Sequence, residues 1–218
     1  MPVLEVTDEQ WDPTTAPPWV RAGTGVTVML VFSACLLAVA PLFMPESYSW
    51  LEHGTSESAG QGLEAAWVAR SGFIMFGLAV IWLCTLRAAN WKRRGTVLHL
   101  SFGVCMIGVA AFPTRPWDDT TAYLHSEDLL HSIFASVMGV AFIGGVIAVM
   151  VERRATRHAT LDLAAVALVV ALSAGMAGFA ATFGLLQRVM FLVAYCWYGR
   201  EAIVTRRPPL PRTGTHRG

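Results

Sequence analysis

The chain has 218 residues, of which 55% are hydrophobic and 14% charged, with a mean hydropathy of +0.51 and a net charge of +1. Soluble domains carry about a quarter charged residues, so this composition excludes an ordinary soluble globular protein and points to a bilayer as the solvent. The near-zero net charge hides the useful quantity, which is how Lys and Arg are shared among the short loops.

Residues 1–22 contain Glu5, Asp8, Glu9 and Asp12 and lack a basic start followed by an apolar core, so they read as a short cytoplasmic tail rather than a cleavable signal. Four apolar runs follow at 25–44, 63–86, 96–112 and 130–151, each long enough to span about 30 Å of hydrocarbon at about 1.5 Å per residue. The stretch 161–198 is too long for one crossing and has no distinct polar loop. A division near Thr182-Phe183-Gly184, with Gly184 permitting the turn, gives helices over 161–181 and 185–204; one long tilted helix is the alternative. The expected architecture is therefore all-α, a polytopic membrane bundle of six transmembrane helices over 23–204, with a basic tail at 205–218.

Loop charges set the expected orientation. Arg87, Lys92, Arg93 and Arg94 lie in the second connection, Arg153, Arg154 and Arg157 in the fourth, and Arg206, Arg207, Arg212 and Arg217 in the tail. The intervening loops carry no Lys or Arg over 45–62 and only Arg115 over 113–129. The positive-inside rule then puts both termini in the cytoplasm, the expected location being a bacterial cytoplasmic (plasma) membrane. Trp50, Trp67, Trp91, Trp117 and Trp197 fall near span ends, where indoles anchor at the interface. Cys35, Cys84, Cys105 and Cys196 form no CxxC and read as buried packing residues. Small residues such as Gly103, Gly108, Gly139, Gly144 and Gly145 allow close helix packing.

The noncytoplasmic side gathers polar groups that a simple anchor does not need. The first outer loop carries Glu46, Glu52, His53 and Glu57, followed by Glu64 and Arg70; the second carries Arg115, Asp118, Asp119, His125, Glu127 and Asp128, with His131 entering the fourth helix. Gln187 and Arg188 complete the set. Arg70 lies about two turns inside its helix, where an unpaired guanidinium is costly, so it calls for water or a carboxylate from another segment, such as Glu57 or Asp128. Anionic headgroup binding is a further use for its fork of donors. His125, Asp128 and His131 recur at three-residue spacing and form a slanting helical stripe, open to acid/base work, a metal, ligand binding or simple capping. Helical metal pairs more often use the four-residue spacing of HExxH, which is absent, and no GxSxG elbow supports Ser56 or Ser126 as a nucleophile. His99 and His131 sit at opposite depths, which argues against bis-histidine haem.

The order of elements carries a family resemblance. Six helices, a first outer loop with Ser56-Glu57 and Gly60, Phe112-Pro113 closing the third helix and His131 entering the fourth resemble the bacterial domain-of-unknown-function 998 family. The chain is also distantly similar to six-helix membrane proteins of the damage-regulated autophagy modulator class, for which the resemblance implies lipid-linked or trafficking roles. The expected ligand-binding set is Arg70, Arg188, Glu57, His131, His125 and Glu64, serving a lipid or small molecule in a polar outer cavity. An intramembrane lipid hydrolase or transferase using His131 with Asp128 or Glu57 is the alternative, and a small-molecule transporter the third. No metal or cofactor is expected, and the expected partners are membrane lipids and an unidentified small molecule, not nucleic acid.

Overall fold

A computed structural model of the chain describes residues 18–118, 121–153 and 157–205; most of the two expected tails, with Asp119, Arg154 and the four arginines beyond 205, lies outside the described residues. The described residues form five α-helices and no strand: α1 (Pro18–Val39), α2 (Ala66–Ala111), α3 (His125–Arg153), α4 (Arg157–Gly178) and α5 (Phe183–Thr205). All five are long and apolar enough to cross a bilayer. Helices are what such a sequence must form there, because hydrocarbon offers no partner for a free peptide N–H or C=O.

At 46 residues α2 would be about 69 Å long if straight, twice the hydrocarbon thickness. It is not straight. Lys92 has φ 57° and ψ 176°, and the chain turns back there into two antiparallel arms, 66–91 and 93–111. The arms touch closely at glycines: a Cβ on Gly77 would lie 2.6 Å from the Gly103 carbonyl oxygen, and one on Gly103 would lie 2.9 Å from that of Gly77. A non-glycine residue at positive φ costs about 1–3 kcal/mol and needs its surroundings to hold it; fully buried Trp91 on one side and Gly95, packed against Val149, on the other do so. The sequence reading expected a connection over 87–95. Helical geometry instead continues through Arg87 and Trp91, leaving Lys92 as the elbow.

The stretch 161–198 is broken, as the two-helix reading expected. The break is at Phe179 (φ −130°, ψ 79°), followed by a 3-10 turn at Ala180–Thr182. Gly184 does not make the turn, because it lies inside α5; its missing side chain admits the carbonyls of Trp50 and His53 against the helix.

The bundle has two unlike ends. At the loop end lie the segments 40–65 and 112–124, the start of α3 and the α4–α5 break. At the elbow end lie Lys92, the end of α3, the start of α4 and the end of α5. Between them the core is aromatic, with Phe76 stacked on Tyr195 at 4.1 Å and Phe73 against Phe191 at 5.8 Å. Ser33 in α1 bonds the Gly72 carbonyl at 2.7 Å and the Tyr195 hydroxyl at 2.6 Å, tying α1 to α2 and α5. Large apolar side chains point outward along the helices, Val140 at 71% and Val31 at 57% exposure among them, the reverse of a water-soluble surface. Cys84 and Cys105 are buried, whereas Cys35 and Cys196 face outward, so only half of the cysteines are the packing residues expected.

Candidate functional site

At the loop end, irregular backbone leaves carbonyls with no helical partner, and two arginines collect them. Arg188, in the second turn of α5, donates from Nη1 to the carbonyls of Trp50 (2.6 Å), His53 (2.9 Å) and Gly184 (2.9 Å), and from Nη2 to the Tyr48 hydroxyl (2.6 Å). Arg70 donates from Nε to the Ala59 carbonyl (3.0 Å) and from Nη2 to that of Gly60 (3.1 Å). The expected carboxylate partner for Arg70 is thus replaced by loop carbonyls, whose dipoles an arginine fork can satisfy two or more at a time. Gln187 accepts the Thr55 N–H at 2.6 Å. Gln61 stitches the two loops together, donating to the carbonyls of Pro113 and Leu124 and accepting the Leu124 N–H at 2.7 Å.

The acidic and histidine candidates separate. Glu57 accepts the Gly54 N–H in the first loop. Burial pushes its carboxyl above the ordinary value, against the opposing pull of that N–H and of His53, Arg115 and Arg188. Asp128 accepts from the Thr114 hydroxyl (3.0 Å) and the Arg115 N–H (2.9 Å). His131, 5% exposed, directs Nδ1 at the carbonyls of Phe112 (2.9 Å) and Val109 (3.2 Å), closing the end of α2. His125 is exposed and packs on Tyr123, and Glu64 is exposed. The His125, Asp128 and His131 stripe therefore runs from solvent to core without converging. His53, Tyr48 and Trp117 form an aromatic cluster beside Arg188, with His53 stacked on Trp117 at 5.3 Å.

The cavity of this end is a groove of about 390 Å³ between α1 and α5. Its walls are Ala34, Leu37, Ala38, Phe191 and Leu192; Trp50, Thr55, Arg188 and Tyr195 supply its polar atoms. Of the expected ligand-binding set, Arg188 alone lines it. Thr55 is 2% exposed and its Oγ1 has no hydrogen-bond partner among the described residues, an unusual state for a buried hydroxyl. Neither Thr55 nor Tyr195 stands out in the sequence, since a lone Thr in a polar loop and a lone Tyr in an apolar helix have no pattern.

The elbow end holds a second polar centre. Glu201 of α5 accepts from Arg87 (3.0 Å) and Trp91 Nε1 (3.0 Å) of α2, Arg153 of α3 (2.6 Å) and neighbouring Arg200 (3.1 Å). Asp162 of α4 pairs with Arg153 (3.0 Å) and Arg200 and accepts Trp197 Nε1 at 2.9 Å. His99, fully buried, bonds the Tyr198 hydroxyl at 2.9 Å and stacks on Trp197 at 4.7 Å. Two expectations need correction here. Arg87 and Arg153 are not loop cations but partly or fully buried ion-pair partners, and Trp91 and Trp197, at 0% and 3% exposure, are inside the bundle rather than at the interface, because each indole N–H serves a buried carboxylate. Trp50 and Trp67, at 52% and 66%, are exposed at span ends as expected. Asp162 and Glu201 are absent from the expected site residues; the signal that could have found them is a carboxylate inside an apolar run, which needs a partner.

Five apolar helices with outward-facing aliphatic surfaces and polar groups gathered at the two ends define an integral membrane protein of the helical class. A family described as "Protein of unknown function (DUF998)" matches residues 26–202, and the chain belongs to that family. No curated protein and no solved structure matches it.

Proposed function

We propose that this protein crosses the cytoplasmic membrane of a bacterium six times, each arm of α2 making one crossing, and that it binds an amphipathic small molecule or lipid in the groove between α1 and α5. The exposed elbow cations Lys92, Arg93 and Arg94, against a first loop free of Lys and Arg over 45–62, favour an elbow end on the cytoplasmic side with both termini. The groove then opens toward the outer leaflet. Its volume is in the range of small-molecule sites, and like them it is mostly apolar with a few polar groups at one end.

The observation that carries the reading is Thr55, a groove-lining residue with a buried hydroxyl that has no partner among the described residues. A ligand headgroup beside Trp50, Thr55 and Arg188 would supply that partner, and its apolar body would lie along Leu37, Ala38 and Leu192. The geometry favours binding over acid/base chemistry, because His131 Nδ1 faces two carbonyls and Asp128 spends an oxygen on the next loop.

Native mass spectrometry of protein released from native-membrane nanodiscs tests this. Wild type should retain an amphiphile, and Ala38→Trp, which fills the groove from an exposed position, should lose it. Identical retained species in both proteins would refute the groove as the site.

A further inference from the structure

The elbow-end centre is not charge-balanced. Arg87, Arg153 and Arg200 face Asp162 and Glu201, three guanidiniums against two carboxylates, leaving one positive charge in surplus among the described residues. Both acids are at most 1% exposed in their side chains and the arginines 9–20%, so water screens little of it. Arg87 and Arg153 lie near the C-terminal ends of the first α2 arm and α3, and Arg200 near that of α5, where helix dipoles blunt the excess without supplying a full counter-charge.

Arg200 is the member that can reach a counter-ion. It is the most exposed of the three. Its bonds to Asp162 and Glu201 both leave from Nη2, and its buried Nε has no partner among the described residues. It also closes one end of a groove of about 400 Å³ between α4 and α5. Small side chains make that groove: Ala164 and Ala165 on α4 and Cys196 on α5 lie between Arg200 at the elbow end and the larger Leu168 and Leu192 one turn further along the two helices. From Arg200 at the elbow end back to Val189 the α5 wall runs eleven residues, about 16 Å along the helix toward the middle of the bundle.

We infer that this groove is a site for one anionic phospholipid, its phosphate on Nη1 of Arg200 and one acyl chain between α4 and α5. A phosphodiester brings the single negative charge that the centre lacks, and the Nη1 of Arg200 can give one of its oxygens a charge-assisted hydrogen bond. A zwitterionic lipid offers the same chain but adds a cation next to a surplus cation. The site adjoins the α1/α5 groove only at Leu192, which lines both, and the Arg200 and Ala164 substitutions leave the other groove's lining untouched.

The test is native mass spectrometry of the full chain in mixed phosphatidylglycerol and phosphatidylcholine nanodiscs, with Arg200→Gln and Ala164→Trp beside wild type. Wild type should hold one phosphatidylglycerol with a preference of about tenfold, set by the repulsion between the choline cation and the surplus guanidinium. Arg200→Gln leaves two arginines facing two carboxylates, a balanced centre, and should lose the preference. Ala164→Trp fills the groove from an exposed position without touching a charge and should lose the bound lipid. Equal retention of the two lipids by wild type, or a preference unchanged in both variants, overturns the inference. So does protection from thermal unfolding by inorganic phosphate equal to that by phosphatidylglycerol, which would make the site one for a free anion.

Discussion

Arginine does different work at the two ends of this molecule. At the loop end Arg70 and Arg188 are spent on backbone carbonyls and one tyrosine hydroxyl, with no carboxylate in hydrogen-bond contact among the described residues. At the elbow end Arg87, Arg153 and Arg200 all pair with Asp162 or Glu201. The connections explain the contrast. Long irregular segments such as 44–65 leave carbonyls that nothing in a helix satisfies, and a guanidinium with five donors is the densest available remedy. The elbow at Lys92 is a single residue, so few carbonyls need help there and charge is free to join helices. One end is a cap held by dipoles, the other a lock held by ions across α2, α3, α4 and α5.

The largest expected effect comes from breaking the lock. Glu201→Ala strands Arg87 and Trp91 without their acceptor and raises the surplus from one charge to two, for a loss of about 3–5 kcal/mol. Thermal unfolding in detergent reads it, and a loss below 1 kcal/mol would mean that water reaches the centre and the contrast between ends is false. Arg188→Met should cost about 1–3 kcal/mol by leaving loop carbonyls unmet and taking from the Tyr48 hydroxyl the donor it accepts from. Its damage should be local: hydrogen exchange should quicken over 48–55 and leave the elbow end unchanged. Faster exchange at both ends would show that the two are one cooperative unit.

How legible these ends were follows from the kind of interaction each uses. Apolar runs and basic loops showed the helical membrane class, since length and hydropathy alone decide whether a segment can cross. The α4–α5 break was anticipated within a few residues, but its cause was misplaced, because Gly184 and the true break at Phe179 differ only in backbone angles and neighbours. Arg70 was correctly singled out as needing a partner; the partner was unreadable, since every residue owns a carbonyl and none is marked in the sequence. The lock was overlooked because Arg87 and Arg153 border apolar runs and look like loop cations. Asp162 and Glu201, 39 residues apart, have no spacing that announces a shared site, and only the fold brings them to Arg153. Thr55 carried no signal at all.

Smaller effects sharpen the loop end. Thr55→Val removes a buried hydroxyl that lacks a partner while keeping the shape, so the unliganded protein should be unchanged or more stable by about 1 kcal/mol. The same variant should retain the groove amphiphile less well than wild type. A destabilised, ligand-competent Thr55→Val protein would mean that the hydroxyl serves the fold instead of a ligand.

The smallest expected effect concerns Glu57 and is a matter of sign. Its carboxyl is held above its ordinary value of 4.5 chiefly by burial, so the folded state favours the protonated form. The stability this contributes is fully present below the unfolded value and is lost as pH rises through the folded one. Glu57→Gln mimics the protonated form and still offers the Gly54 N–H an acceptor. At about pH 7 the Gln variant should therefore be the more stable of the two, and the gap should close as the pH falls through the carboxylate range toward about 4. Thermal midpoints of the pair across that range read the gap directly. A gap that stays constant would mean that the positive charges of His53, Arg115 and Arg188 cancel burial, and one that opens on acidification that they outweigh it, making the loop end an electrostatic lock like its opposite.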